Sequence, residues 1–173
     1  MTTYQILITI ISVIGMAGCS KNESKEIDNI DVKEYIELLS QNQYDSANLP
    51  AFTYKDIPAL LEFRNDTQMI TNYPTNFISS LALPKCKLGI YILWTIESIR
   101  AVAINSEYLV MRFPSQNPIL AYKDTSELKL VSDNESHIAA ANAYYDWWEN
   151  NKQKNFDEFK DIDPLENTKY KWH

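Results

Sequence analysis

Residues 88–104 read LGIYILWTIESIRAVAI and form the most apolar stretch of the chain beyond residue 30. In a helix its few polar residues would be scattered around the axis, so this helix would be buried on all sides. Periodicity alone leaves residues 88–96 compatible with a buried strand as well. We expect a helix, and because Glu97 and Arg100 interrupt it, we do not expect it to span a membrane.

Glu97 and Arg100 are the charged residues of this stretch, and an i,i+3 spacing brings their side chains together on a helix. A partly buried carboxylate beside a guanidinium forms a structural ion pair, or it serves as a catalytic acid or a ligand clamp. The sequence favours the structural ion pair. A lone carboxylate also lacks the second carboxylate that glycoside hydrolysis needs.

Capping signals predict three further helix starts. Asp31 precedes a helix over 32–41 that has one apolar face. Asp56 begins a second helix, with a proline in its first turn. Ser132 caps the last strong helix, which runs to about Lys152.

The signals for β-structure are weak. Residues 108–113 and 119–122 are β-prone and compatible with one short hairpin. Gly89 is the only glycine beyond residue 18, and both tight hairpin turns and phosphate-binding loops depend on glycine. We therefore predict that residues 31–173 form one mainly α, compact multi-helix domain with at most a short β-hairpin. Helix pairs resembling an irregular α-solenoid are an alternative arrangement.

The last predicted helix carries the densest aromatic cluster of the chain, and a polar face with Asn142, Asp146, Glu149 and Asn150 lies opposite its apolar stripe. Exposed aromatic side chains stack on sugars or bind partner proteins, whereas buried ones pack a core. Core packing is the favoured interpretation, and ligand or partner binding is the alternative. The four candidate residues are Tyr144, Tyr145, Trp147 and Trp148. The tail beyond this helix adds apolar residues that we expect to pack back on the domain: Phe156, Phe159, Leu165, Tyr170 and Trp172.

The N-terminus has the features of an export signal. Residues 1–18 contain no charged side chain and include an apolar core of signal-peptide length. They end in Met16-Ala-Gly before Cys19, a pattern that resembles the bacterial lipobox, although Met16 replaces the usual Leu and no Lys or Arg precedes the apolar core. We predict cleavage before Cys19, lipidation of Cys19 and a flexible tether over 19–30. A secretory signal with an incidental cysteine and an uncleaved anchor are the alternatives.

Composition excludes several classes of function. The formal charge of −7 disfavours binding to nucleic acid and to anionic lipid surfaces. The predicted membrane contact is therefore the N-terminal lipid alone. With Cys19 lipidated, Cys86 is left without a disulfide partner, and we predict no metal and no cofactor. A nucleophilic Cys86 would need a histidine base, for which His137 and His173 are the candidates.

Residues 45–47, Asp-Ser-Ala, match a short sequon for O-glycosylation of exported proteins in some Gram-negative anaerobes. Ser46 is therefore a candidate modification site. Three residues make a weak pattern, which chance often supplies.

Four segments carry a resemblance to a known family: 56–61, 64–67, 93–100 and 144–148. Over residues 54–173 the chain resembles small lipoproteins of unknown function from gut-dwelling Gram-negative bacteria. This resemblance implies export and anchoring, most naturally at the outer membrane, facing the periplasm or the cell surface. It supplies no catalytic residues.

Taken together, these features favour a lipid-anchored envelope module that binds a partner protein or an extracellular ligand, and they favour it over an enzyme. Two alternatives stay open. One is an enzyme that acts on envelope glycan or peptidoglycan through Glu97, and the other is a structural subunit of an envelope complex.

Overall fold

The computed structural model describes residues 30–81 and 83–173. Its helical elements follow the chain as α1 (Val32–Ser40), a 3-10 turn (Tyr54–Asp56), α2 (Ile57–Leu61), α3 (Leu88–Ala103), α4 (Asn134–Glu149) and a second 3-10 turn (Phe156–Glu158). The predicted leader, Cys19 and nearly all of the predicted tether lie outside these residues. Within the described ranges, no helix has the length and apolar character needed to cross a bilayer.

Helix α3 is the central element of the molecule. Most of its 16 residues are buried, and Tyr91, Trp94 and Ile96 are fully inaccessible to solvent. This confirms the helix predicted over 88–104 and excludes the strand alternative. Because α3 is apolar nearly all round, the other elements must pack around it rather than along one side.

Gly89 lets the first turn of α3 approach two neighbouring elements closely. A Cβ atom at this position would lie 2.5 Å from the carbonyl oxygen of Arg64 and 2.6 Å from Nε2 of His137. The N–H of Gly89 also donates to the carbonyl of Asp66 over 2.9 Å. Helices α2, α3 and α4 thus contact one another pairwise. A solenoid stacks units that touch only their neighbours in sequence, so the solenoid-like alternative is wrong.

The capping predictions for α1 and α2 have different outcomes. Asp31 caps α1, as predicted, and its carboxylate accepts the N–H of Glu34 over 2.8 Å. Asp56 makes no side-chain cap for α2. Instead, Thr53 caps the preceding 3-10 turn, and the Asp56 carboxylate accepts the N–H of Thr53 over 2.8 Å. Asp56 is therefore the second partner of a capping box and not its first.

Helix α4 begins later than predicted and ends earlier. Asp133 caps it rather than Ser132, and the Asp133 carboxylate accepts the N–H of Ser136 over 2.7 Å. Both residues fit the capping pattern in sequence, so only the backbone geometry distinguishes them. The helix ends at Glu149, short of the predicted end at Lys152.

The strands are short and form two antiparallel sheets. One pairs β1 (Met69–Ile70) with β2 (Cys86–Lys87), and the other has the order β4-β3-β5, built from β3 (Leu120–Tyr122), β4 (Leu130–Val131) and β5 (Tyr170–Trp172). The prediction of a mainly α domain with at most a short hairpin is therefore wrong, because the fold is mixed α/β. Strands of two or three residues are too short for alternation to be recognised in sequence.

The two β-prone segments have different conformations. Residues 119–122 overlap β3, whereas 108–113 form a turn closed by an isolated bridge between Val110 and Phe113. The central strand β3 pairs with β5 near the end of the chain, with Leu120 opposite Trp172. The hairpin that was compatible with 108–113 and 119–122 therefore does not form, and β3 pairs with β4 and β5 instead.

The tail packs on the core, as the sequence suggested. Phe156, Phe159, Leu165 and Tyr170 are all buried, and Trp172 packs against the same cluster while half-buried. The tail therefore contributes both core side chains and the edge strand β5.

Candidate functional site

Glu97 and Arg100 form a buried ion pair on α3. Arg100 Nη1 lies 2.7 Å from each carboxylate oxygen of Glu97, and Arg100 Nε donates to the carbonyl of Lys160 over 3.1 Å. The two side chains are 7% and 13% exposed, in the order Arg100 and Glu97. Burial, the largest single effect, lowers the pKa of the Arg100 guanidinium, but Glu97, Tyr144 and Asp163 together raise it by more, so the pKa lies above its ordinary value.

Tyr144 and Trp172 extend this pair into a longer hydrogen-bonded network. The Tyr144 hydroxyl donates to Oε1 of Glu97, and the Trp172 indole N–H donates to the Tyr144 hydroxyl over 2.7 Å. Burial, followed by the charge of Glu97, raises the pKa of Tyr144 well above its ordinary value, so Tyr144 stays a donor. The network joins α3, α4 and β5, and no sequence pattern connects these three elements.

A cavity of about 390 Å³, here called the network cavity, opens beside these residues. Its lining includes Glu97, Arg100, Asp163, Lys171 and Trp172. Two carboxylates thus line one cavity, which is the arrangement that an acid–base enzyme would require. However, both oxygens of Glu97 already accept hydrogen bonds from protein donors. The geometry therefore suits a structural pair better than a proton donor to substrate.

The aromatic candidates are divided between core and surface. Tyr144 is fully buried and Trp147 is 5% exposed, whereas Tyr145 is 39% exposed. The Arg64 guanidinium lies over the Tyr145 ring, 4.2 Å from its centroid. Trp148 is half-buried, with its ring 6.1 Å from that of Trp147. The four side chains do not form one exposed binding surface.

Ser46, the candidate for O-glycosylation, lies in the loop after α1 and is half-buried. Its Oγ accepts the N–H of Asn48 over 3.0 Å. In this conformation the hydroxyl oxygen stabilises the local turn.

Cys86 and His137 do not form a nucleophile–base pair. Cys86 is buried, and its Sγ donates to the carbonyls of Lys87 and Pro118, each over 3.4 Å. Burial raises the pKa of the Cys86 thiol to about 12, so the reactive thiolate is scarce at neutral pH. Nε2 of His137 lies 2.8 Å from the carbonyl oxygen of Arg64. In the part of the chain that the structure describes, no group of His, Cys, Asp and Glu side chains is arranged to hold a metal ion.

A groove of about 520 Å³ lies between α4 and the loop over 162–168 and is here called the amide groove. Asn142, Asp146 and Asn150 follow one another at i, i+4 and i+8 along one stripe of α4, and they form one wall. The opposite wall carries carboxylate, amide and hydroxyl groups: Asp163, Glu166, Asn167 and Thr168. Sequence reasoning found the polar stripe of α4 but had no signal for the loop that faces it.

The amide groove offers free hydrogen-bonding groups. The side-chain amides of Asn142, Asn150 and Asn167 make no side-chain hydrogen bond to another described residue. The groove is also acidic, because three carboxylates line it and the described lining residues include no Lys or Arg. Asp163 lines both this groove and the network cavity, so the two features adjoin. Among the described features, the amide groove is the candidate binding site.

Comparison with known proteins gives one family match. The profile of a domain of unknown function, DUF4943, matches residues 26–173. No curated protein and no solved structure matches the chain.

Proposed function

The chain belongs to the DUF4943 family, whose function is unknown, and we propose that it is a lipid-anchored envelope protein that binds a neutral glycan in the amide groove. The observation that carries the proposal is the pair of amides of Asn142, on α4, and Asn150, at its C-cap, which bond to no described side chain and face a polar loop across the groove. Unpartnered amides at a concave surface each offer donors and an acceptor to a ligand. Sugar hydroxyls, which both donate and accept, match this set of groups.

The size and lining of the groove suit a short saccharide better than a macromolecular partner or a metal ion. Its volume of about 520 Å³ lies within the range of roughly 300–1,000 Å³ that is usual for small-ligand sites. Trp147, Ala139, Ala143 and Pro164 give it an apolar floor beside the polar walls. Mixed walls of this kind fit the apolar C–H face and the hydroxyl edge of a sugar ring.

The charge of the groove selects against acidic glycans. Asp146, Asp163 and Glu166 contribute carboxylates that no lining cation offsets. Like charges in a partly desolvated groove disfavour binding of a uronate or a sialic acid. The proposal therefore commits to neutral sugars.

The binding test uses the full chain and defined oligosaccharides. We would titrate it with chitotriose, maltotriose, cellotriose and trigalacturonate, and follow binding by calorimetry. We expect at least one neutral trisaccharide to bind and trigalacturonate not to bind. The Asn142→Ala/Asn150→Ala variant should bind about tenfold more weakly, because it loses two hydrogen bonds of about 0.7 kcal/mol each.

A matched control uses Asn48→Ala, which removes an exposed amide outside the groove. We expect this variant to bind like the unmodified chain. Preferred binding of trigalacturonate, or equal affinity in the groove variant and the unmodified chain, would refute the glycan proposal.

The anchoring part of the proposal rests on residues 16–19 and has its own test. Mass spectrometry of the exported protein should find a chain that begins at Cys19 and carries lipid. A free, unmodified Cys19 thiol would refute the anchor without affecting the proposed groove.

A second candidate function is an enzyme that cleaves envelope glycan. The observation in its favour is that Glu97 and Asp163 line the same cavity, next to the amide groove. It is the weaker candidate, because Arg100 and Tyr144 occupy the oxygens of Glu97. Turnover of a bound oligosaccharide that is lost in Glu97→Gln, with binding retained, would establish the enzyme instead of the binding module.

A further inference from the structure

A third cavity, here called the apolar cleft, lies between the two sheets and has a volume of about 400 Å³. Its walls come from both sheets and from the starts of α3 and α4, and six of the lining residues are aliphatic or thioether side chains: Met69, Leu83, Ile90, Ile119, Leu120 and Val131. Cys86 also lines the cleft. The apolar lining distinguishes this cavity from the amide groove, which is polar on both walls.

The charged groups of the cleft are concentrated on strand β2 and its approach. Lys85 and Lys87 flank Cys86 and both line the cleft. Lys85 is exposed and makes no ion pair or side-chain hydrogen bond to another described residue. Lys87 Nζ donates to Oδ1 of Asn134 over 2.8 Å, an uncharged partner.

The lining also contains one carboxylate, that of Asp133. This group caps the N-terminus of α4, where it accepts the N–H of Ser136 over 2.7 Å. Two cations therefore face one carboxylate that already has a partner, and the cleft has a net positive rim around an apolar interior.

We propose that the apolar cleft binds an anionic amphiphile, with its alkyl chain along the aliphatic walls and its acidic head group at Lys85. A carboxylate or sulfate head would pair with the free ammonium of Lys85, while the chain would be removed from water by Ile90, Leu120 and Val131. A polar saccharide would leave these aliphatic walls unmatched, so the ligand differs from the one proposed for the amide groove.

The experiment compares three amphiphiles that share one alkyl chain and differ in the head group. Dodecanoate, dodecanol and dodecyltrimethylammonium are added below their micelle concentrations to the full chain bearing Cys19→Ser. Cys86 is then the only thiol, and its position in the lining makes it a local reporter. Because the thiolate of Cys86 is scarce at neutral pH, its slow modification by excess N-ethylmaleimide is followed over hours by peptide mass spectrometry.

We expect dodecanoate to slow the modification of Cys86 and to do so at a concentration at least tenfold lower than either of the other amphiphiles. Shortening the acid by one methylene should weaken protection about fourfold, as expected for burial of each methylene. Lys85→Glu should abolish the preference for the acid. Lys33→Glu makes the same charge change on exposed α1, away from the cleft, and should not alter the preference.

Three results would overturn the proposal. One is that dodecanoate gives no protection, and another is that all three head groups protect equally. The third is that Lys85→Glu retains the preference for dodecanoate. Each result is independent of glycan binding, because the cleft and the amide groove share no lining residue and glycan binding is measured without modification of Cys86.

Discussion

The indole N–H of Trp172 donates to the hydroxyl of Tyr144 over 2.7 Å, across 28 positions of sequence. The same hydroxyl donates to the buried carboxylate of Glu97. Strand β5 is thereby connected to α4 and, through Glu97, to the central helix α3. This single hydroxyl forms hydrogen bonds with two partly buried polar groups at once.

Replacement of Tyr144 by Phe should destabilise the protein by about 1–3 kcal/mol, because it removes a hydrogen bond from Glu97 and leaves the Trp172 N–H without its acceptor. Urea unfolding measures the change. The matched control is Tyr145→Phe on the next residue, which is 39% exposed and should change stability by less than about 0.5 kcal/mol. Equal stabilities of the two variants would contradict the network.

Replacement of Gly89 by Ala should destabilise the protein by about 1–3 kcal/mol. In an ordinary helix the same change stabilises by about 1 kcal/mol. Here the new Cβ would lie 2.5 Å from the carbonyl oxygen of Arg64 and 2.8 Å from that of Asp66, and backbone atoms cannot rotate away. The additional change His137→Ala removes only the contact of the new Cβ with Nε2 of His137, so it should not rescue stability. A gain in thermal midpoint for Gly89→Ala alone would refute this close packing.

Replacement of Arg100 by Met should cost about 3 kcal/mol or more, because it leaves the Glu97 carboxylate buried and without its partner. The double variant Glu97→Leu/Arg100→Met should be more stable than Arg100→Met alone, since no buried charge is left unpaired. Denaturant unfolding of the two single variants and the double variant gives the coupling energy. Additive losses in this cycle would show that the two side chains are not energetically coupled.

The stability of the protein should fall on mild acidification because of His137. Burial lowers the pKa of this imidazole below 6.5, despite the opposing effect of the Arg64 carbonyl. Below pH 6.5 the unfolded chain therefore binds a proton more readily than the folded chain does, and the free energy of unfolding decreases as the pH falls. Above pH 6.5 the contribution of the neutral His137 imidazole to the free energy of unfolding is fully present.

Urea unfolding at pH 7.5 and pH 5.5 tests the role of His137. We expect His137→Gln to lose less stability between these two values than the unmodified chain, whatever its stability at pH 7.5. Ile138→Gln alters an exposed neighbour on α4 and should keep the full difference. An unchanged pH difference in His137→Gln would assign the acid sensitivity to other groups.

The sequence was informative about elements whose signal is local. The apolar run over 88–104 favoured a central helix because a helix that is apolar nearly all round must be buried on all sides, although residues 88–96 were also compatible with a buried strand. Asp31 predicted the start of α1 because a cap acts within one turn. Local patterns were less decisive where two acceptors were adjacent, as at Ser132 and Asp133.

The strands could not be predicted from local sequence patterns. Leu120 pairs with Trp172 and Ile70 with Cys86, and none of these segments is long enough to show alternation. Their conformation is selected by hydrogen bonds to partners distant in sequence. The mixed α/β class follows from these pairings, and composition gave no indication of them.

The candidate sites divide in the same way. The i,i+3 spacing of Glu97 and Arg100 and the polar stripe of α4 follow from the sequence alone, because a helix fixes which residues share a face. Packing of the folded chain brings Tyr144 and Trp172 into the network and places the loop over 162–168 opposite the stripe to form a groove. Contacts between elements depend on how the chain packs around α3, and that packing is a property of the whole core rather than of any one segment.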